Sequence, residues 1–434
     1  MSSFWLILIG VLVVCFILQR TAAMMERSTA EKQARGETTT ANPLRPIDRE
    51  EETTLRNCFP WTVYYLQNLE YRPQAVICRG QLRTNPEAAY QRIRENVEAR
   101  FGDRFLVVFQ EGLSGKPFFA LVPNPQRRRE IRRYLETATR PWLALSLLVV
   151  SFITCAIAGA RISGTLVPAV KGVEPPPFDV GVLMTGVPYA VALLAILGLY
   201  EVAHYLVARF YKVRATLPYF VPVPFVPGTV GAFIQIRTPV PHRRALFDLG
   251  ISGPLVGFLI TLPVLIWGLT QSDAVPAPTQ TERLNFNAID PRISLLLSLL
   301  SKLALGNQLT TETVLDLHPL AIAGCVGLAI VALKLMPIGQ LDGGHIVHAM
   351  FGQRAGIAIG QVARLIILAL CLIQPYLLIW AIVLILFVPV GDEPALNDVS
   401  ELDNWRDCLG LISLAVLLAI ILPTPAPILS LLSL

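Results

Sequence analysis

The chain has 434 residues, of which 53% are hydrophobic and only 15% charged, against roughly 25% charged in an ordinary soluble domain. Such a composition belongs to a membrane protein, and a net charge of +5 with no alternation of basic and aromatic residues excludes nucleic acid as a partner. Seven cysteines without a CxxC pair exclude both a disulfide framework and a thiolate zinc site. Residues 20–140 hold 21 of the 36 basic and 15 of the 31 acidic residues. The first third therefore contains a soluble, basic segment, and the rest is mostly bilayer.

In chain order, residues 1–19 read as a transmembrane helix, uncleaved because no small-residue cleavage motif follows the apolar stretch 4–19. Residues 20–57 are polar and poor in aromatics, which predicts a linker. From 58 to 125 the pattern changes to that of a small α+β domain: a strand at Ala75 to Cys78, a helix from Pro86 to Phe101, and a hairpin of Phe105 to Gln110 with Pro117 to Val122. Its expected role is either partner or substrate gating or that of a stabilising cytosolic cap.

A basic juxtamembrane segment, 126–141, carries Arg127, Arg128, Arg129, Arg132, Arg133 and Arg140 beside the apolar run 142–160. Lys and Arg excess next to a span marks the cytoplasmic side, so the soluble domain is expected to be cytosolic. Further spans fall near 181–208, 246–269, 317–337 and 359–389, within a membrane core of 142–390, and near 407–422, in a C-terminal segment of 391–434 that begins with an acidic loop. The loop 270–316 is expected outside, with the acidic loop at the start of 391–434 on the same side. No internal repeat is visible, which argues against a transporter.

Ionisable groups at bilayer depth are costly and so mark function. Three places qualify: Glu201 and His204 in ALLAILGLYEVAHYLVARF, Lys334 near the end of 317–337, and Asp342 in PIGQLDGGHI. Tyr200 and His204, four apart, share a helical face. A His, a Glu and an Asp from two distant spans match what a hydrolytic zinc site needs, since a catalytic zinc takes three protein ligands and leaves one position for water.

On these residues the chain resembles the site-2 proteases, intramembrane zinc metalloproteases, and most of all their cyanobacterial and chloroplast branch with a soluble domain before the membrane core. The family's His-Glu-x-x-His motif falls on Tyr200-Glu201-Val202-Ala203-His204, its Gly-Pro motif on Ser252-Gly253-Pro254, and its Asp-Gly motif on Leu341-Asp342-Gly343-Gly344. The stretch Thr216 to Arg237 resembles its re-entrant β-hairpin. The resemblance implies a polytopic α-helical membrane protein with six to eight transmembrane helices, a small cytosolic α+β domain and a re-entrant β-hairpin. It implies zinc on His204 and Asp342, Glu201 as general base, and a substrate groove at Gly253, Pro254, Gly343 and Gly344. The implied partners are a transmembrane protein substrate or client helix and membrane lipid, in a cyanobacterial plasma or thylakoid membrane.

Two positions depart from the family. Tyr200 replaces the first zinc His, and a phenol binds zinc only as phenolate. Lys334 replaces an Asn close to the site. The sequence thus predicts impaired or absent catalysis, with the Lys334 ammonium neutralising Glu201 and Asp342 where the metal would be. A Lys334 that snorkels to the interface is the alternative. An active endopeptidase using His204, Asp342 and a substitute third ligand, His345 being nearest in sequence, is the alternative for function.

Overall fold

The structure is a computed structural model that describes residues 47–72, 75–112, 115–124, 141–164, 180–276, 288–306, 313–373 and 377–432. The expected first span 1–19, the start of the linker and the arginines of 126–140 lie outside the described residues.

The described residues form two compact units. One draws on Met1–Tyr134, Pro239–Phe247 and Pro337–Asp403, and the other on Leu135–Thr238, Asp248–Met336 and Asn404–Leu434.

In the first unit, α1 (Arg49–Asn57) is followed by β1 (Tyr64–Arg72), β2 (Ala75–Leu82), α2 (Pro86–Phe101), β3 (Phe105–Glu111) and β4 (Pro117–Pro123). Asn85 caps α2 by accepting the Glu87 N–H at 2.9 Å, and Pro86 sits at the first position, where a missing N–H costs nothing. Ala89, Tyr90, Ile93 and Val97 are buried along one face of this helix against an antiparallel sheet of order β1-β2-β4-β3. Phe109 and Phe119 stack in the core at 4.1 Å between ring centroids, and Tyr64 crosses Phe119 edge-on at 5.0 Å.

Three expectations need correction here. The linker does not extend to residue 57. Asp48 begins α1 with a capping box, and Ile47 and Leu55 are buried in the sheet's core, so hydrophobic burial claims a stretch whose surface is charged. The acidic segment after residue 391 does not lie away from the soluble domain. Its backbone extends the sheet: Phe109 N–H donates to Leu396 O at 2.7 Å, and Asp398 N–H to Phe109 O at 2.9 Å. Leu396 N–H and Asn397 N–H donate in turn to Val240 O and Pro241 O, at 2.9 and 3.1 Å. Nor is 142–390 one body, because Pro239–Phe247 and Pro337–Asp403 gather with the soluble domain. That unit also holds α9 (Asp342–Phe351), α10 (Gln353–Ile373) and α11 (Leu378–Leu386); α9 and α11 are shorter than the helices that can cross a bilayer.

The second unit contains α3 (Pro141–Ile162), α4 (Val180–Thr185), α5 (Val187–Phe210), β5 (Tyr219–Pro222) and β6 (Thr229–Phe233). Most of α6 (Arg243–Thr270) follows, then β7 (Asp273–Pro276), β8 (Ala288–Ile289), α7 (Leu295–Leu305), β9 (Thr313–Asp316), α8 (Pro319–Leu335), α12 (Asn404–Ile421) and α13 (Ala426–Leu432). Among the described residues, α3, α5, α6, α10 and α12 are long and apolar enough to cross a bilayer, and α7 and α8 are shorter apolar helices. The β5–β6 hairpin stands where the resemblance puts it. Its turn is pinned to α3 and α5: Thr154 Oγ1 donates to Gly228 O at 2.7 Å, and Tyr189 Oη to Pro227 O at 2.9 Å. Gly228 has φ +91° and a Cβ there would lie 2.6 Å from Cys155 Cα, so only glycine fits this turn. At one end of the bundle, Arg406 grips both oxygens of Asp248 at 2.7 Å, and Tyr211 donates to the same carboxylate at 2.5 Å. That bidentate clamp ties α12 to α6.

Candidate functional site: a cationic side chain at the metal position

The 24 residues of α5 bury Tyr200, Glu201 and His204 to 1%, 2% and 6% exposure. Four residues apart, the two rings lie on one face with centroids 5.3 Å apart and planes tilted by 56°. Their seat is made by α6. A Cβ on Gly253 would stand 2.2 Å from His204 Nε2 and 2.4 Å from Tyr200 Cε1, and one on Gly257 would stand 2.4 Å from Tyr200 Cδ2. Ser252 Oγ lies 3.3 Å from His204 Nδ1. The glycines of the Gly-Pro motif therefore serve to admit two rings between packed helices. Replacing Gly253 with Ala should cost about 1–3 kcal/mol through overpacking, read as a lower midpoint of thermal unfolding in detergent. An unchanged midpoint would mean that both rings can move aside.

Lys334 enters from the last turn of α8. Its ammonium pairs with the Glu201 carboxylate, donates to Ala232 O of β6 at 3.3 Å, and stands 4.3 Å from the centroid of the Tyr200 ring. The side chains of Glu201 and Lys334 are 3% and 22% exposed. Snorkelling is thus not what Lys334 does: its charge points inward, to a carboxylate, a carbonyl and an aromatic face, each of which attracts a cation.

Tyr200, Glu201, His204, Lys334 and Gly253 are brought together in the second unit. Asp342 is the first residue of α9, half-buried, in the first unit. The sequence assigns four positions to a substrate groove. Gly253, Pro254, Gly343 and Gly344 are all buried, and a Cβ on Gly344 would meet Gly339 O at 2.1 Å. Gly253 and Gly344 each permit close packing within their own unit.

Whether zinc fits can be judged from the imidazoles, of which the chain has five. His242 and His318 cap α6 and α8, their Nδ1 atoms accepting from Ala245 N at 3.1 Å and Leu320 N at 3.3 Å. His345 and His348 bind carboxylates of the first unit. His204 faces Ser252. Among the described residues, no three His, Cys, Asp or Glu side chains gather as a metal site. A phenol thus stands at the position of the first imidazole of the motif, and an ammonium stands on the Glu201 carboxylate.

A second buried polar cluster was not recognised from the sequence. His348 is 1% exposed; its Nδ1–H donates to Asp392 Oδ2 at 2.8 Å and its Nε2–H to Asp398 Oδ1 at 3.0 Å. His345 donates to the same Asp392 oxygen at 2.8 Å. Burial works against the imidazolium of His348, but the hydrogen bonds to Asp392 and Asp398 outweigh it and push its pKa up to about 9. Burial likewise opposes the Asp392 carboxylate, but the charges and hydrogen bonds of His345 and His348 together outweigh it, drawing that pKa down to about 2. The available sequence signal is two His three apart, with an acidic run that begins at Asp392, 44 positions after His348.

Comparison with known proteins accords with the motifs. Residues 188–374 match the model of peptidase family M50, and residues 53–129 that of the EGY3 middle domain. The chain is 30% identical over 380 residues to "Probable zinc metalloprotease EGY2, chloroplastic" of Oryza sativa subsp. japonica, covering 85% of this chain and 65% of that protein. It is 32% identical over 258 residues to "Probable zinc metalloprotease EGY1, chloroplastic" of Arabidopsis thaliana, covering 58% and 46%. Against "Probable zinc metalloprotease EGY3, chloroplastic" of Oryza sativa subsp. japonica it is 25% identical over 383 residues, covering 85% and 63%. The chain thus spans at most 65% of the length of these relatives. The membrane core of the chain thus carries a peptidase M50 (site-2 protease) domain, preceded by a middle domain of the EGY3 type.

Proposed function

We propose that this chain keeps the site-2 protease scaffold to bind transmembrane segments of other membrane proteins, and that it does not cut them. The observation that supports this reading is the Lys334 ammonium on Glu201 beside Tyr200. A general base held in an ion pair cannot take a proton from water, and a divalent ion brought near the ammonium would be repelled in a low dielectric. The β5–β6 hairpin, retained intact, would hold the client. The membrane is proposed to be a cyanobacterial plasma membrane or a thylakoid membrane, with the soluble domain in the cytosol.

Zinc content and cleavage test this together. Purified full-length chain in detergent should carry far less than one zinc per molecule and leave a reporter transmembrane helix uncut while still binding it. One tightly held zinc per chain, with cleavage lost on Glu201→Gln, would establish the active endopeptidase instead.

A further inference from the structure

The acidic segment after α11 is held from four directions within the first unit. Arg364 on α10, 1% exposed, donates through Nη2 to Val388 O at 2.5 Å and Pro389 O at 3.0 Å. Gly339, just before the Asp342 helix, abuts Pro389 so closely that a Cβ would lie 2.0 Å from its carbonyl oxygen. Asp392 receives His345 and His348 from α9, and its main-chain carbonyl accepts from Gln353 Nε2 at 3.2 Å. Further on, Leu396 and Val399 pack against the core of the sheet.

Asp398 joins the two ends. Its side chain accepts from His348 Nε2 at 3.0 Å, while its main-chain N–H donates to Phe109 O of β3 at 2.9 Å. Only five residues of chain separate Asp392 from Asp398, and the backbone between them is spent on bonds to Phe109 and to Val240 and Pro241. Such a segment has little slack. Loss of the helix-side bonds frees the sheet-side bonds, and the reverse.

We infer that Val388–Ser400 is a coupling strap that makes the edge strand β3 and the Asp342-bearing helix α9 open and close as one cooperative unit, with the His348 ring clamped between Asp392 and Asp398 as its pin. Beyond those two carboxylates, the charged and titratable groups around the pin are His345 on its own helix and Arg243 at the start of α6, whose Nη2 donates to His348 O at 3.3 Å. Whatever binds the soluble sheet can then alter the helix that carries the Asp-Gly motif. Coupling of this kind does not require the proposed loss of cleavage.

Hydrogen–deuterium exchange on the full-length chain in detergent reads it directly. His348→Gln should raise exchange at the Phe109 and Asp398 amides and across α9 by a common factor of about tenfold or more. Because coupling is reciprocal, Leu396→Gly on the sheet side should loosen α9 by a similar factor. If either variant fails to fold, the wild type taken from pH 7 to pH 10, corrected for intrinsic exchange, should show both regions loosening together as the pin loses its proton. Loosening of α9 with β3 amides unchanged, or the converse, overturns the coupling.

Discussion

Lys334→Met should lower stability by about 3–5 kcal/mol, because it strands the Glu201 carboxylate, only 3% exposed, without its cation. The size follows from an asymmetry: forming a buried pair gains little over two apolar groups, whereas removing one member leaves an uncompensated charge. The same logic predicts rescue. Lys334→Met combined with Glu201→Gln removes both charges, and its melting midpoint in detergent should return to within about 1 kcal/mol of wild type. A single Lys334→Met variant that melts like wild type would show that the ammonium does not support Glu201, and the case for a cation standing in for the metal would fail with it. Tyr200→His alone should not confer zinc binding, because the ammonium remains; Tyr200→His with Lys334→Asn should.

Stability should also fall on the alkaline side. His348 has a pKa of about 9 in the folded chain against 6.5 for a free imidazole, so the folded state holds its proton more tightly. The stabilisation is fully present below pH 6.5 and is lost as pH rises through about 9, a difference of about 3 kcal/mol at 1.36 kcal/mol per pKa unit. Asp392, drawn from 3.8 to about 2, acts in the opposite sense: its share is present above pH 3.8 and is lost as pH falls towards 2. Unfolding midpoints should therefore form a plateau between about pH 4 and 6.5. In His348→Gln the alkaline slope should flatten. A wild-type profile level from pH 6 to 10 would show that the ring is neutral between its two carboxylates.

Where the sequence misled, tertiary contacts had replaced local pattern. β1 went unread because a bulge between Leu66 and Asn68 breaks the period-two alternation that betrays a strand. Residues 47–57 look like a charged linker because burial of Ile47 and Leu55 depends on a sheet that comes later in the chain. Hydropathy separated the acidic run near 391–403 from the soluble domain, since it counts spans and cannot see that Leu396 pairs with Phe109.

The sequence by itself determined the membrane class, the family and the chemistry in question, because motif residues at fixed spacing on apolar helices carry their meaning locally: Tyr200 four before His204, Gly253 four before Gly257, two glycines after Asp342. Only the tertiary structure decided where Lys334 points and what His345 and His348 do. Both answers turn on contacts between residues 133 and 44 to 50 positions apart, and the energy of a buried charge depends on what lies within a few ångströms of it, which no local pattern encodes.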